Sequence, residues 1–372
     1  MPQIYELLGY PLSDLSKSVI QSRKKIYCPF IGDVCDGGGN RFMSEIDLIS
    51  HKELRDFFPN LAKVPSGICS IQVTDEDSPW IVCPRRLFYM GNKANDDILR
   101  GETQQKLLGK SDFAKGTHIG IWTEVKVKYA DNISSDCNDI AAFDYTFDYV
   151  MMPLGIVKFS EAVIYSGLER NELKRLLQNN EYNFFDIDGE IFIKNFPVGN
   201  PLVVEVMTSS TSGGNKRKRS CIPQAFEDAI LGRPHLAPGI NYRQVWARMV
   251  SQLIVKSQAA IGWNGKTIWI LQDLLANYIS SSTALNLHNL VAEQTDEVNI
   301  LAFSYGNNYK HLKKSHIVTL KDSVLYSGKI RNDSKHDLNP CFQDIILSAV
   351  CPPRSALISA LVKKVIANKM IV

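Results

Sequence analysis

Hydrophobic and polar positions alternate with a period of two in the second half of Thr117-His-Ile-Gly-Ile-Trp-Thr-Glu-Val-Lys-Val-Lys-Tyr129, which predicts a strand with one wet face. The aromatic run Phe143-Asp144-Tyr145-Thr146-Phe147-Asp148-Tyr149 buries its rings on one face and leaves acids to a cleft. Two apolar runs, Pro201-Leu-Val-Val-Glu205-Val-Met207 and Thr267-Ile-Trp-Ile-Leu-Gln-Asp273, predict buried strands. Between the acids lies a helical period from Ser166 to Leu177, then strand-like pieces at Phe184 to Asp188 and Glu190 to Ile193. This reads as a small helix-and-hairpin insertion, a solvated accessory element rather than one that reads bases. After Met207 a polar loop from Thr208 ends in Lys216-Arg217-Lys218-Arg219. Helices follow from Ile222 to Leu231 and from Tyr242 to Ala260. Strand, helices, strand is an α/β arrangement.

Composition narrows the class without naming a function. With 372 residues the chain has room for one large domain and an appended module. Its 45% hydrophobic and 22% charged residues are those of an ordinary globular protein. A net charge of +3 excludes polyanion binding through the whole-molecule field, so a nucleic acid would be met by local basic patches. No run is apolar and long enough to span a bilayer, and the start Met-Pro-Gln-Ile-Tyr-Glu lacks signal-peptide character. A cytoplasmic location is expected, where the eight cysteines stay reduced.

Cys28, Cys35, Cys69 and Cys83 each lie beside Pro or a turn former, where backbone folds tightly around an ion. Their irregular spacing is no standard zinc-finger signature, so they read either as small buried hydrophobes or as a tetrahedral structural site for iron or zinc. The run Lys216 to Arg219 reads equally as a solvated loop or as phosphate contacts beside an acid. A strand that delivers Glu205 beside a second acid is how metal-dependent nucleases hold a cation against a scissile phosphate.

Together these segments resemble the NotI family of type II restriction endonucleases, within the PD-(D/E)xK nuclease superfamily. The likeness covers about residues 25 to 285. It is carried by Cys28-Pro-Phe, Cys35, Gly67-Ile-Cys69 and Trp80-Ile-Val-Cys83-Pro, by Phe143-Asp144-Tyr145-Thr146, by Val203-Val204-Glu205-Val206 and by the segment from Tyr242 to Trp269. The resemblance implies a PD-(D/E)xK nuclease core, a mixed central sheet flanked by helices, with an N-terminal four-cysteine metal-binding module. It implies iron, with zinc as the alternative, on Cys28, Cys35, Cys69 and Cys83, and catalytic Mg²⁺ on Asp144 and Glu205, with Glu124 a further candidate acid.

The layout expected is a metal-binding module over 1–95, a catalytic core over 96–285 with an insertion at about 160–200, and a C-terminal region over 286–372. The function implied is sequence-specific cleavage of double-stranded, palindromic DNA by a homodimer, in a restriction system with a cognate methyltransferase. Lys216 to Arg219 would contact phosphates, and Arg243, Gln244, Arg85 and Arg86 are candidate base readers. One departure matters. The superfamily's usual lysine, two residues beyond the Glu, is Met207 here. Lys126, Gln224 or Glu227 then replaces it, the metal acts unaided, or the centre is silent. A DNA-binding subunit inactive alone and a repair or structure-specific nuclease are the alternative readings.

Overall fold

The computed structural model describes residues 1–39, 45–90, 103–131, 141–180, 182–332 and 339–346. Cys137, Cys351 and the basic pair Lys363-Lys364 lie outside the described residues.

In chain order the elements begin with β1 (Gln3–Leu7), β2 (Tyr10–Pro11), α1 (Lys17–Lys24), β3 (Tyr27–Cys28), β4 (Asp33–Val34), β5 (Glu45–Asp47), β6 (Lys63–Pro65), β7 (Ile68–Gln72) and β8 (Trp80–Ile81). The short helices α2 (Pro84–Leu87) and α3 (Gln105–Leu108) follow, then the long strands β9 (Ile119–Asp131) and β10 (Ala141–Lys158). Next come α4 (Phe159–Ser166), α5 (Arg170–Asn179), β11 (Asn183–Ile187), β12 (Glu190–Pro197) and β13 (Leu202–Val206). The remainder comprises α6 (Ile222–Ile230), α7 (Tyr242–Gly262), β14 (Lys266–Gln272), α8 (Asp273–Ser282), β15 (Val298–Ser304) and β16 (Asp322–Gly328).

The fold is mixed α/β. Its central sheet runs β11-β12-β10-β13-β14-β15-β16, with β9 paired to β10. β13, β14 and β15 are parallel, and the other pairings are antiparallel. The parallel strands are apolar on both faces because both are covered. On one face α7 sets Val245, Met249 and Leu253 against Trp269, Leu271 and Ile300. On the other, Ile81, Leu87, Phe88 and Leu107 pack on Val204, Ile268 and Leu301.

The regions of the expected layout are joined in the structure. The sheet continues past 285, because β15 and β16 complete it and bury the β14 edge. The N-terminal region is joined to the core rather than set apart: Gln272 accepts from Ile81 N (2.8 Å) and donates to Pro79 O (2.7 Å). Buried Arg86 pairs with Glu6 at 2.9 Å while Tyr305 donates to the same carboxylate at 2.7 Å. Arg86 thereby fixes β1 to the end of β15 and, at 1% exposure, is not a base reader. The single helix expected from Ser166 to Leu177 is instead two helices, broken at Gly167, whose φ of 64° ends α4.

Candidate active site

Glu205 lies near the end of β13 and is 2% exposed. Period two puts it on the same side of the strand as Val203, which packs against Ala260 of α7. The register Tyr149↔Val204 brings Asp148 of β10 level with it. Asp148 Oδ2 accepts from Val206 N at 2.8 Å, which holds the carboxylate at the β10–β13 seam. On the far side of Asp148 the β9–β10 ladder passes from Phe147↔Val125 to Tyr149↔Thr123, so Glu124 stands opposite it at a break. Glu124 has a φ of 52°, a left-handed value that interrupts the strand beside the acids.

The third member comes from α7. Its buried positions Val245, Met249, Leu253, Lys256 and Ala260 follow the helical period, so Lys256 occupies a core-facing position. Its Nζ donates to Glu205 Oε2 at 2.6 Å and to Thr146 O at 2.7 Å, over the Phe147 ring. Glu205 Oε1 is buried with no hydrogen-bond partner among the described residues. Burial first, and then Asp148, push the Glu205 carboxyl up to about 8, against the opposing pull of Lys256. Burial also raises Asp148, opposed by Val206 N–H, Lys256 and Arg85. Two carboxyl groups and the Lys256 amine thus converge where one Glu205 oxygen has no hydrogen-bond partner among the described residues.

Asp144 does not join them. It lies four positions along β10, about 13 Å away at strand rise, is exposed, and sits between Lys126 (3.5 Å) and Lys128 (3.4 Å). The expectation that Asp144 pairs with Glu205 is therefore corrected to Asp148. The run contains Phe-Asp-Tyr twice, and only the second copy reaches the β13 seam. The proposed substitutes for the missing lysine are also placed elsewhere. Lys126 pairs with Asp144, and Glu227 with His51 and Arg219. Gln224 lies on α6, whose Ala225 and Phe226 pack into the N-terminal core. Met207 packs with Trp80, Tyr242 and Trp246 against the α7 core.

Arg219 leaves the basic run. Its guanidinium binds Asp228 at 2.7 and 2.8 Å and Glu227 at 2.9 Å, so it anchors the loop to α6. Lys216, Arg217 and Lys218 are exposed. Gln244 caps α7 with Asn241, accepting from its Nδ2 at 2.9 Å, and Arg243 is exposed beside it. Arg85 pairs with Asp36 at 2.9 Å and lies over Tyr89.

Cys28, Cys35, Cys69 and Cys83 line one cavity of about 10 Å³ with Asp36, Gly37, Gly67 and Arg85. Gly38, at φ 79°, leaves room there: a Cβ would come 3.1 Å from Cys83 Sγ. Burial and the neighbouring thiols push Cys69 up and Cys83 to about 12. The thiols surround a common void, with Cys28 and Cys35 hydrogen-bonded to each other, yet among the described residues no group of three or more Cys, His, Asp or Glu stands in metal-holding geometry. No helix among the described residues is long and apolar enough to cross a membrane. Comparisons with protein-family models, curated proteins and solved structures give no match.

Proposed function

We propose that this chain is a metal-dependent endonuclease acting on double-stranded DNA, with Asp148 and Glu205 as the cation ligands and Lys256 as the lysine of the centre. The observation that carries the reading is the unpartnered, buried Glu205 Oε1 beside Asp148, with Lys256 on the other oxygen. The donor set suits a hard divalent cation such as Mg²⁺. When bound, that ion supplies a polarised phosphate and a more acidic water. Asp148 and Glu205 hold position through the β10–β13 seam. Lys256 donates to Glu205 in the resting centre and would hold a phosphate oxygen or orient the attacking water. In this reading a lysine delivered from α7 takes the part of the lysine absent at Met207.

The NotI-like reading extends this to sequence-specific cutting by a twofold homodimer on a palindrome, with a cognate methyltransferase to protect the host site. It would also put iron or zinc on Cys28, Cys35, Cys69 and Cys83, whose thiol chemistry suits either ion although the four do not stand in metal-holding geometry here. Its role there is structural, because four protein ligands leave no open position. Incubating the purified chain with plasmid DNA and Mg²⁺ tests the proposal. Discrete bands support a sequence-specific enzyme and a smear a repair-type nuclease. DNA binding without cutting would leave a recognition subunit.

A further inference from the structure

We propose that α4, α5, β11 and β12 form a winged helix-turn-helix that reads double-stranded DNA through the major groove with α5. This deepens the nuclease reading and rests on it for the choice of DNA as ligand. The unit has its own core, in which Phe159, Ala162, Leu173, Leu177, Ile193 and Phe196 are buried together. Two helices are joined by a turn of Gly167, Leu168 and Glu169, with Gly167 left-handed and donating to Val163 O at 3.1 Å. Arg170, at the start of the second helix, lies over the Phe159 ring of the first. A hairpin then turns at Asp188 (φ 52°) and Gly189 (φ 81°), the backbone of a two-residue turn matched to strand twist. The hairpin returns to the end of β10, so the small sheet runs β10-β12-β11. Strand, helix, turn, helix and wing in this pairing are the parts of a helix-turn-helix reader, whose second helix enters the major groove.

The outward face of α5 has the matching chemistry. Leu173 and Leu177 point inward, whereas Asn171, Arg175 and Gln178 follow one another on the opposite stripe, with Lys174 on one flank and Glu172 on the other, all exposed. Arg pairs bidentately with guanine, and Asn and Gln with adenine, at the major-groove edge. The wing tip carries Asp186 and Asp188, which phosphates repel, so contact is assigned to α5 and not to the wing. The same stripe would not read duplex RNA, whose major groove is too deep and narrow.

The test selects bound sequences from a random duplex DNA library with the full chain and no added Mg²⁺, comparing wild type with Asn171→Ala/Arg175→Ala/Gln178→Ala. These exposed substitutions leave the thermal midpoint nearly unchanged. Wild type should enrich a motif, and the triple variant should lose roughly tenfold in preference at each base it no longer reads while keeping nonspecific DNA binding. The same motif enriched equally by both proteins, no DNA binding by wild type, or preference for duplex RNA would overturn the proposal. A motif bound without any cutting in Mg²⁺ would fail the nuclease reading alone. Cutting at the same sites by the triple variant would fail the reader alone.

Discussion

Lys256 and Glu205 meet at 2.6 Å although they lie 51 positions apart and on different elements. A core-facing ammonium on α7 is thereby matched to a strand-borne carboxylate that has one oxygen still unpaired. Removing either partner leaves a buried group without its counterpart. Lys256→Met should therefore cost about 3–5 kcal/mol in denaturant unfolding above about pH 8, where Glu205 is charged, and less below it, where the carboxyl holds its proton. The double variant Lys256→Met/Glu205→Gln should recover much of the loss. Additive single effects would show that the two groups are not coupled.

The assignment of Asp148 over Asp144 separates cleanly by mutation. Asp148→Asn and Glu205→Gln should lower Mg²⁺-dependent cleavage by about a hundredfold or more, the scale of losing one preorganised charge at a reacting centre. Asp144→Asn should leave it within a few-fold, because that side chain lies in the exposed Lys126–Lys128 pair. Cleavage assays on all three decide the matter, and equal loss in Asp144→Asn would return the site to the first Phe-Asp-Tyr copy.

Glu205 has a carboxyl raised from 4.5 to about 8 in the fold. The folded chain therefore holds a proton that the unfolded chain releases, and this stabilisation, full below pH 4.5, is lost as pH rises toward about 8. Without divalent metal, stability should fall across that window by up to about 1.4 kcal/mol per pH unit from this group. Asp148 acts in the same direction. Saturating Mg²⁺ should flatten the slope, because the ion favours the deprotonated form. Urea midpoints measured across the window, with and without the ion, check both statements.

Arg219 and its three neighbours should behave differently. Arg219→Ala should lower stability, because it strips a bidentate partner from Asp228. Neutralising Lys216, Arg217 and Lys218 should instead weaken DNA binding and reduce the log-log salt slope by about 0.9 for every phosphate no longer neutralised. An unchanged slope would make those three an ordinary solvated loop.

Cys28→Ala should remove tightly held metal and destabilise the chain, since binding at four-thiolate sites is coupled to folding. Cys221→Ser and Cys341→Ser should leave metal content unchanged. Elemental analysis of the purified proteins measures this, and a stable wild-type chain without metal would end the four-cysteine reading.

The sequence pattern placed some of this well and some poorly, for identifiable reasons. β13, β14 and α7 were legible because their apolar runs or stripes are bounded by turn formers. Glu205 was legible for the same reason. Asp148 was passed over because choosing between two Phe-Asp-Tyr copies needs the cross-strand register, which no local period contains. Lys256 was missed although its signal is present: it interrupts the stripe Val245, Met249, Leu253, Ala260 with a charge on the buried side. β15 and β16 went unread as parts of the sheet, because sheet order is set by long-range pairing. The break in the helical period at Gly167 was absorbed into one helix, which concealed α4.

The 18 residues of β10 run as one strand, with a register shift between Gly155 and Val157, from the arm shared with β9, past Asp148, to the start of α4. Lys158 lies ten positions beyond Asp148, a span of at most about 33 Å, close to the pitch of one turn of B-form DNA. If α5 reads and Asp148 helps to cut, this strand is a ruler: the offset between recognised bases and broken bond is written into the length of one piece of backbone, and lengthening it would relocate the break.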